Sequence, residues 1–259
     1  MVAAGGNNST KHTNAMNVLS LFDGMSCGQI ALKELGIKVD NYFASEVDKY
    51  AIQQTQHNFP NTIQLGDVCG VKAKDLPKID LLIGGSPCQG FSFSGKMLNF
   101  NDPRSKLFFE FVRILGEVRE TSPDVFFLLE NVRMRKEYEA VISKALGVQP
   151  IAINSALVSA QNRLRLYWTN IGATKDIFGN LTPGIPQPAD RGGYIKDILE
   201  KEVDDRFYLS AEYVQKLLDY NARNKAKGNG FSAKFHKDGE KMATLKVGGG
   251  NVNDLIQTK

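Results

Sequence analysis

The sequence predicts an α/β protein: a mostly parallel, doubly wound sheet followed by a small, irregular C-terminal region. Three observations carry that prediction. Short, near-continuous apolar runs recur between residues 17 and 171, the composition of strands buried on both faces. Segments with helical periodicity separate them, as crossover helices separate parallel strands. After residue 172 the alternation gives way to sequence rich in Pro, Gly and Lys.

The elements follow in order. Residues 17–22 (NVLSLF) form the first strand. Residues 28–35 form a helix with Ile30, Ala31, Leu32 and Leu35 on one face and Gly36 as its left-handed stop. Residues 42–46 are a second strand, 48–58 a second helix and 62–65 a third strand. Residues 80–84 (DLLIG) are a fourth strand that breaks into a Gly/Pro turn. A long helix spans 105–120, with Leu107, Phe108, Phe111, Ile114 and Leu115 inward. Residues 125–129 (VFFLL) form a fifth strand and 138–146 a helix stopped by Gly147; 151–157 and 166–171 are two further strands. One more helix covers 210–225.

The expected organisation is a disordered leader at 1–15, a main domain at 16–172, a Pro/Gly-rich linker at 173–193 and a smaller region at 194–259. Met16 stands where a natural start would fall. The chain has 259 residues, 42% hydrophobic and 23% charged, enough for a core without staples. Three cysteines (Cys27, Cys69, Cys88) with no Cys-x-x-Cys exclude a disulfide framework and give no zinc signature, so a reducing, cytoplasmic setting is expected and no metal. No apolar run approaches 18 residues, and the N-terminus lacks the apolar segment of a secretory signal. Residues 16–170 hold 17 basic against 16 acidic side chains, whereas 201–259 hold 11 against 8. That mildly basic end suits a polyanion or, equally, a solvated lysine surface.

Ligands of open α/β sheets bind at the carboxyl ends of the strands, so the residues after each strand carry the chemistry. The first strand runs into Asp23-Gly24-Met25-Ser26-Cys27-Gly28, where glycine lets a ligand approach the backbone. The second ends in Glu46, placed to take ribose hydroxyls, and the third in Gly66-Asp67, able to accept from an adenine amine. Together they read as a nucleoside site; singly, each also fits an ordinary loop glycine or surface carboxylate. The fourth strand opens into Gly84-Gly85-Ser86-Pro87-Cys88-Gln89-Gly90, a rigid turn carrying a thiol. The fifth ends in Glu130-Asn131-Val132, which brings an acid to the same edge. A thiol beside a carboxyl group suits attack on an electron-poor ring with protonation of a ring nitrogen. Gln161, Arg163 and Arg165 alternate into a strand and so share one face, as an anion clamp or a surface salt-bridge row.

The ordered set DGMSCG, SEV, GDV, GGSPCQGFS, ENV and QNRLR resembles the cytosine-5 DNA methyltransferases over residues 17–171. The stretches LSLFDG, IGGSPC and LFFEF also resemble the animal de novo branch and small bacterial or phage enzymes. The resemblance implies the S-adenosylmethionine-dependent methyltransferase fold and S-adenosylmethionine as cofactor. It implies that Cys88 adds to carbon 6 of a flipped-out cytosine, that Glu130 protonates nitrogen 3, and that Arg163 and Arg165 orient the base. Phe22, Asp23, Gly24, Met25, Cys27, Gly28, Glu46, Val47, Asp67, Val68, Pro87 and Leu107 would then line the cofactor. Ser86, Gln89, Asn131, Val132 and Gln161 would support the site, with Asn131 bracing the Pro-Cys turn. Residues 89–103 would close over the flipped base, and 194–259 would be part of a target-recognition region with Lys225, Lys227, Lys234, Lys237 and Lys241 on phosphates. Double-stranded DNA is the implied partner.

Two family features are missing: an Arg-x-Leu-Thr-Pro-x-Glu segment and the Gly-Asn helix that completes the core. Their absence leads us to expect a truncated chain, or one half of a split enzyme completed by a second chain. The rival readings are a tRNA cytosine-5 methyltransferase, whose Cys-Phe-Thr signature is absent, and a non-catalytic DNA-binding relative, which tends to lose the cysteine or acid retained here. An unrelated thiol hydrolase would need a basic partner, and His12, His57 and His236 lie off the predicted strand ends.

Overall fold

The computed structural model describes residues 15–87, 103–177, 179–230, 232–244 and 255–256, with backbone alone at 103–105. The elements in chain order are β1 (Met16–Leu21), α1 (Cys27–Glu34), β2 (Val39–Ser45), α2 (Lys49–Asn58), β3 (Ile63–Gln64), β4 (Leu81–Gly84), α3 (Pro103–Thr121), β5 (Phe126–Val132), α4 (Lys136–Leu146), β6 (Ile151–Asn154), β7 (Leu164–Thr169), β8 (Thr174–Lys175), β9 (Leu181–Thr182), α5 (Ala211–Ala226), β10 (Phe235–His236) and β11 (Leu255–Ile256).

A seven-stranded sheet has the order β3-β2-β1-β4-β5-β7-β6. The pairs β1–β2, β2–β3, β1–β4 and β4–β5 are all parallel. The chain builds outward from β1 to β3, then returns to place β4 on the other side of β1. The reversal makes the β1/β4 junction a topological switch point, where the strand ends leave a crevice.

Neighbouring residues in each central strand go to opposite faces. Leu19, Phe43, Leu82 and Phe127 enter the larger core, while Val18, Tyr42 and Leu81 enter a smaller one with Leu32 and Ala44. Both faces are therefore covered, which is the doubly wound arrangement. Helix α3 dominates the larger core through Phe108, Phe111, Ile114, Leu115 and Val118, all buried. Each such side chain contributes about 1.5–3 kcal/mol of burial. The helix ends at Thr121 because Pro123 disfavours helical backbone at Ser122. Helix α2 is capped by Asp48, whose Oδ1 accepts from the Tyr50 and Ala51 amides, each at 2.9 Å. Helix α4 carries Glu137 and Glu139 in its first turn and stops at Gly147, whose φ is 73°.

Helix α1 departs from its predicted face. Only Leu32 is buried, whereas Ile30 and Leu35 are exposed, Leu35 at 72%. Gly28 explains the rotation: a Cβ there would lie 2.4 Å from Ile83 Cδ1 and 2.8 Å from the Tyr42 hydroxyl. The helix thus approaches the sheet along Gly28 and Leu32, one turn apart, and the apolar stripe faces outward. Gly28 is required for helix–sheet packing.

Two compact units divide the chain: one holds the residues up to Ile151 together with Leu166–Ile185, the other Ala152–Arg165 with Pro186–Lys259. In the first, β8 and β9 pair antiparallel inside the stretch predicted as a linker. The strand expected over 151–157 ends at Asn154, whose side chain accepts from the Ala156 amide and turns the chain into a short 3-10 segment. In the second unit α5 is capped by Ser210 and buries Leu217, and Asn221 is tied to the backbone of Ala233 in both directions. Strands β10 and β11 pair in parallel. The predicted leader, apart from Ala15, lies outside the described residues. Among these residues no helix is long and apolar enough to cross a membrane.

Candidate active site

Register brings the predicted strand-end residues into one row. Ser45, Leu21, Gly84 and Leu129 are partners across β2, β1, β4 and β5. The next residue on each strand is therefore Glu46, Phe22, Gly85 and Glu130. Strands lie about 4.8 Å apart, so Glu46 and Glu130 stand roughly 14 Å apart along the edge. Gly66 continues the row beside Glu46, because Gln64 pairs with Ala44.

The turn after β1 is unusual. Phe22, Gly24 and Ser26 have φ of 58°, 58° and 62°, two of them side-chain-bearing residues in the left-handed region. The Asp23 carboxylate is held inside this turn: Oδ1 accepts from the Tyr42 hydroxyl at 2.8 Å and Oδ2 from the Ser26 hydroxyl. Burial, and then the Asp23 charge, push the Tyr42 phenol far above its usual range, so it remains a donor. Phe22 packs against the larger core.

Glu46 is fixed by three amides. Gly24 N–H donates to Oε2 at 2.8 Å, and Val47 and Asp48 donate to Oε1 at 2.8 and 2.9 Å. Asp67 accepts from the Cys69 amide at 2.9 Å. Around these acids, a Cβ at Gly24 or Gly66 would meet nothing within 4 Å, and the apolar side chains of Met25 and Val47 are 58% and 71% exposed. Two oriented carboxylates, open space at two glycines and exposed apolar side chains suit a nucleoside bearing a ribose diol and an exocyclic amine. The residues present thus fit S-adenosylmethionine, the cofactor implied by the fold. Val68 by contrast is buried in the larger core, Cys27 is exposed, and Leu107 packs partly buried against that core from α3.

The turn after β4 is tight for a stated reason. A Cβ at Gly84 would lie 2.9 Å from the Leu21 carbonyl oxygen and 3.1 Å from the Phe111 ring. A Cβ at Gly85 would lie 3.2 Å from Glu130 Oε2, so the acid sits against the backbone of the turn. Asn131, buried, donates from Nδ2 to the carbonyl and hydroxyl oxygens of Ser86, both at 3.2 Å, and its Oδ1 accepts from the Val132 amide. Pro87 ends the described part of the turn; Cys88, Gln89 and the predicted closing segment lie outside it. Cys69 is a poor alternative nucleophile: desolvation, and then the neighbouring Asp67, push its thiol upward.

Gln161, Arg163 and Arg165 belong to the second unit. Strand β7 begins only at Leu164, so of the three only Arg165 occupies a strand position. Gln161 bridges to Met242, and the Arg163 amide donates to Asn154 Oδ1 at 3.0 Å. These lead-in bonds replace the strand alternation expected there. Arg165 Nη1 donates to the Leu164 carbonyl at 2.9 Å. Of the lysines, Lys225, Lys227, Lys234 and Lys237 are exposed. Lys241 is not available: its side chain is 18% exposed, pairs with Asp190 at 3.0 Å and donates to the Ala156 carbonyl.

Sequence reasoning missed Tyr42, Ser26, Gln29 and Thr62, which form one hydrogen-bonded set with Asp23. The available signal was a tyrosine in β2 and a threonine just before β3, beside a turn that already contained Asp and Ser.

Residues 16–256 match the family model for C-5 cytosine-specific DNA methylase. The type II methyltransferase M1.ScrFI of Lactococcus lactis subsp. cremoris is 34% identical, over 92% of this chain and 62% of its own length. The orphan methyltransferase M.Rho11sI of Bacillus phage rho11s is 30% identical, over 82% of this chain and 49% of its own. The chain thus spans about half to under two thirds of these relatives' length. The crystal structure of a Spodoptera frugiperda DNMT2 mutant shares the fold, with a TM-score of 0.54 and 23% identity over 88% of this chain and 68% of that one. With nearly the whole chain matched, this protein belongs to the C-5 cytosine-specific DNA methylase family.

Proposed function

We propose that this chain transfers a methyl group from S-adenosylmethionine to carbon 5 of cytosine in duplex DNA, through a covalent Cys88 adduct on a flipped-out base. The observation that supports this most is the single row of strand ends. It lines up a nucleoside-binding half (Gly66–Asp67, Glu46, the Asp23 turn) with an acid beside a tight Gly-Gly-Ser-Pro turn leading to a thiol. The relatives' names, type II and orphan methyltransferase, favour the same substrate class.

In this reading Glu46 accepts from the ribose hydroxyls and Asp67 from the adenine amine. The Cys88 thiolate forms a bond to carbon 6 while Glu130, held against Gly85, gives a proton to nitrogen 3; electron density moves to carbon 5. Bound S-adenosylmethionine supplies the methyl group that carbon 5 receives. Loss of the carbon-5 proton to water, departure of the Cys88 sulfur from carbon 6 as thiolate and return of the nitrogen-3 proton to Glu130 restore the neutral ring. Asn131 keeps the turn fixed at Ser86, two residues before Cys88. Arg163 and Arg165 orient the cytosine through its carbonyl oxygen. Residues 194–259 read the target, with Lys225, Lys227, Lys234 and Lys237 on phosphates.

The test is transfer of labelled methyl from S-adenosylmethionine to duplex DNA, followed by nucleoside analysis. Label in 5-methylcytosine is expected. Label in RNA alone, or in another base, would overturn the reading.

A further inference from the structure

We infer that Tyr42 is a positioning residue for the cofactor: with Ser26 it holds the Asp23 carboxylate, and the backbone of the turn, not that carboxylate, is what the ligand meets. This rests on the proposed reading of the turn as the cofactor site.

Phe22, Gly24 and Ser26 alternate through positive φ within five residues. Side-chain-bearing residues stay in that region only where surrounding contacts over-determine them. Here the contacts form a continuous chain. The Tyr42 hydroxyl, on a side chain 3% exposed, donates to Asp23 Oδ1 at 2.8 Å, and the Ser26 hydroxyl takes Oδ2. Gln29 Nε2 donates to Ser26 Oγ at 2.9 Å and to Thr62 Oγ1 at 2.8 Å, and the Thr62 hydroxyl donates to the Phe59 carbonyl at 2.8 Å. From the other side the Thr55 hydroxyl donates to the Gly24 carbonyl at 3.3 Å. The turn is thereby anchored to β2, to α1, to α2 and to the segment before β3.

Two consequences follow. Asp23, which the sequence offers as a cofactor ligand, has each carboxylate oxygen engaged by a protein hydroxyl; it holds the turn. The turn in turn sets Glu46, because Gly24 N–H donates to Glu46 Oε2. Loosening Tyr42 therefore reaches both the methionine end and the ribose end of the site, although Tyr42 is buried behind the turn.

The experiment measures S-adenosylhomocysteine affinity by calorimetry and the thermal unfolding midpoint for the wild-type chain, Tyr42→Phe and Ser26→Gly. Glycine is at ease in the left-handed region, so Ser26→Gly relieves backbone strain while deleting the hydroxyl. A merely structural role predicts that affinity follows stability, so Ser26→Gly would bind as well as wild type. Positioning predicts the opposite: Kd raised at least about tenfold in both variants, with the Ser26→Gly midpoint at or above wild type. Wild-type affinity in a folded Ser26→Gly would overturn the inference. Absence of S-adenosylhomocysteine binding by the folded wild-type chain would instead overturn the proposed function on which it rests.

Discussion

The Gly24 amide donates to Glu46 Oε2 at 2.8 Å, so the turn after β1 and the acid after β2 form one piece of structure. Because Val47 and Asp48 hold the other oxygen, the carboxylate plane is fixed before any ligand arrives. Glu46→Gln places an N–H where one of these amides needs an acceptor. The affinity for S-adenosylhomocysteine should fall about 10- to 100-fold, the range for losing a hydrogen bond to a charged group, as read by calorimetry.

Glu130 rests against Gly85, which lies three residues before the proposed thiol, Cys88. Glu130→Gln keeps the shape but cannot transfer the proton. Turnover should fall about 10²- to 10⁴-fold, with S-adenosylhomocysteine affinity unchanged within about twofold. Single-turnover methyl transfer and calorimetry on the same preparation check both halves.

Two glycines should respond oppositely to alanine. At Gly84 the new Cβ meets the Leu21 carbonyl at 2.9 Å and the Phe111 ring at 3.1 Å, so Gly84→Ala should destabilise by about 1–3 kcal/mol. At Gly116, inside α3, nothing lies within 4 Å, and Gly116→Ala should stabilise by up to about 1 kcal/mol. Urea unfolding of the two variants beside wild type measures both.

Glu117 gives a pH-dependent prediction. Against desolvation, the Ala73 amide and the Arg113 guanidinium, at 3.0 and 2.5 Å, hold its carboxyl below the usual range. A carboxyl lowered in the folded state adds stability above its unfolded pKa and loses it as pH falls through the folded value. Wild type should therefore be more stable than Glu117→Gln at neutral pH. The gap should close on acidification below the ordinary carboxylate range, as followed by denaturant midpoints at stepped pH.

The strand ends were legible because a parallel sheet stops each apolar run at its carboxyl edge; Asp23, Glu46, Asp67 and Glu130 all follow such runs. The fate of each acid was not. Asp23 and Glu46 look equivalent in sequence, yet one is engaged by Tyr42 and Ser26, and the other is turned by amides toward open space at Gly24. That difference depends on pairing across 19 to 22 residues. Helix α1 was misread for a similar reason: its apolar spacing marks a face, but the close approach at Gly28 decides which face meets the sheet. Tyr42 reads as one more core aromatic until its hydroxyl is placed. The predicted Gln161–Arg165 alternation failed because the chain before Leu164 is bonded to Met242 and to the Asn154 side chain rather than through a strand ladder.

The most direct test of the central claim is covalent trapping on a duplex containing 5-fluorocytosine, in the presence of S-adenosylmethionine. Fluorine at carbon 5 cannot leave as a proton does, so turnover stops at the adduct. The account predicts a denaturation-resistant protein–DNA species whose modified peptide carries the nucleotide on Cys88. An adduct on Cys27 or Cys69, or no adduct from folded chain bound to the duplex, would contradict it.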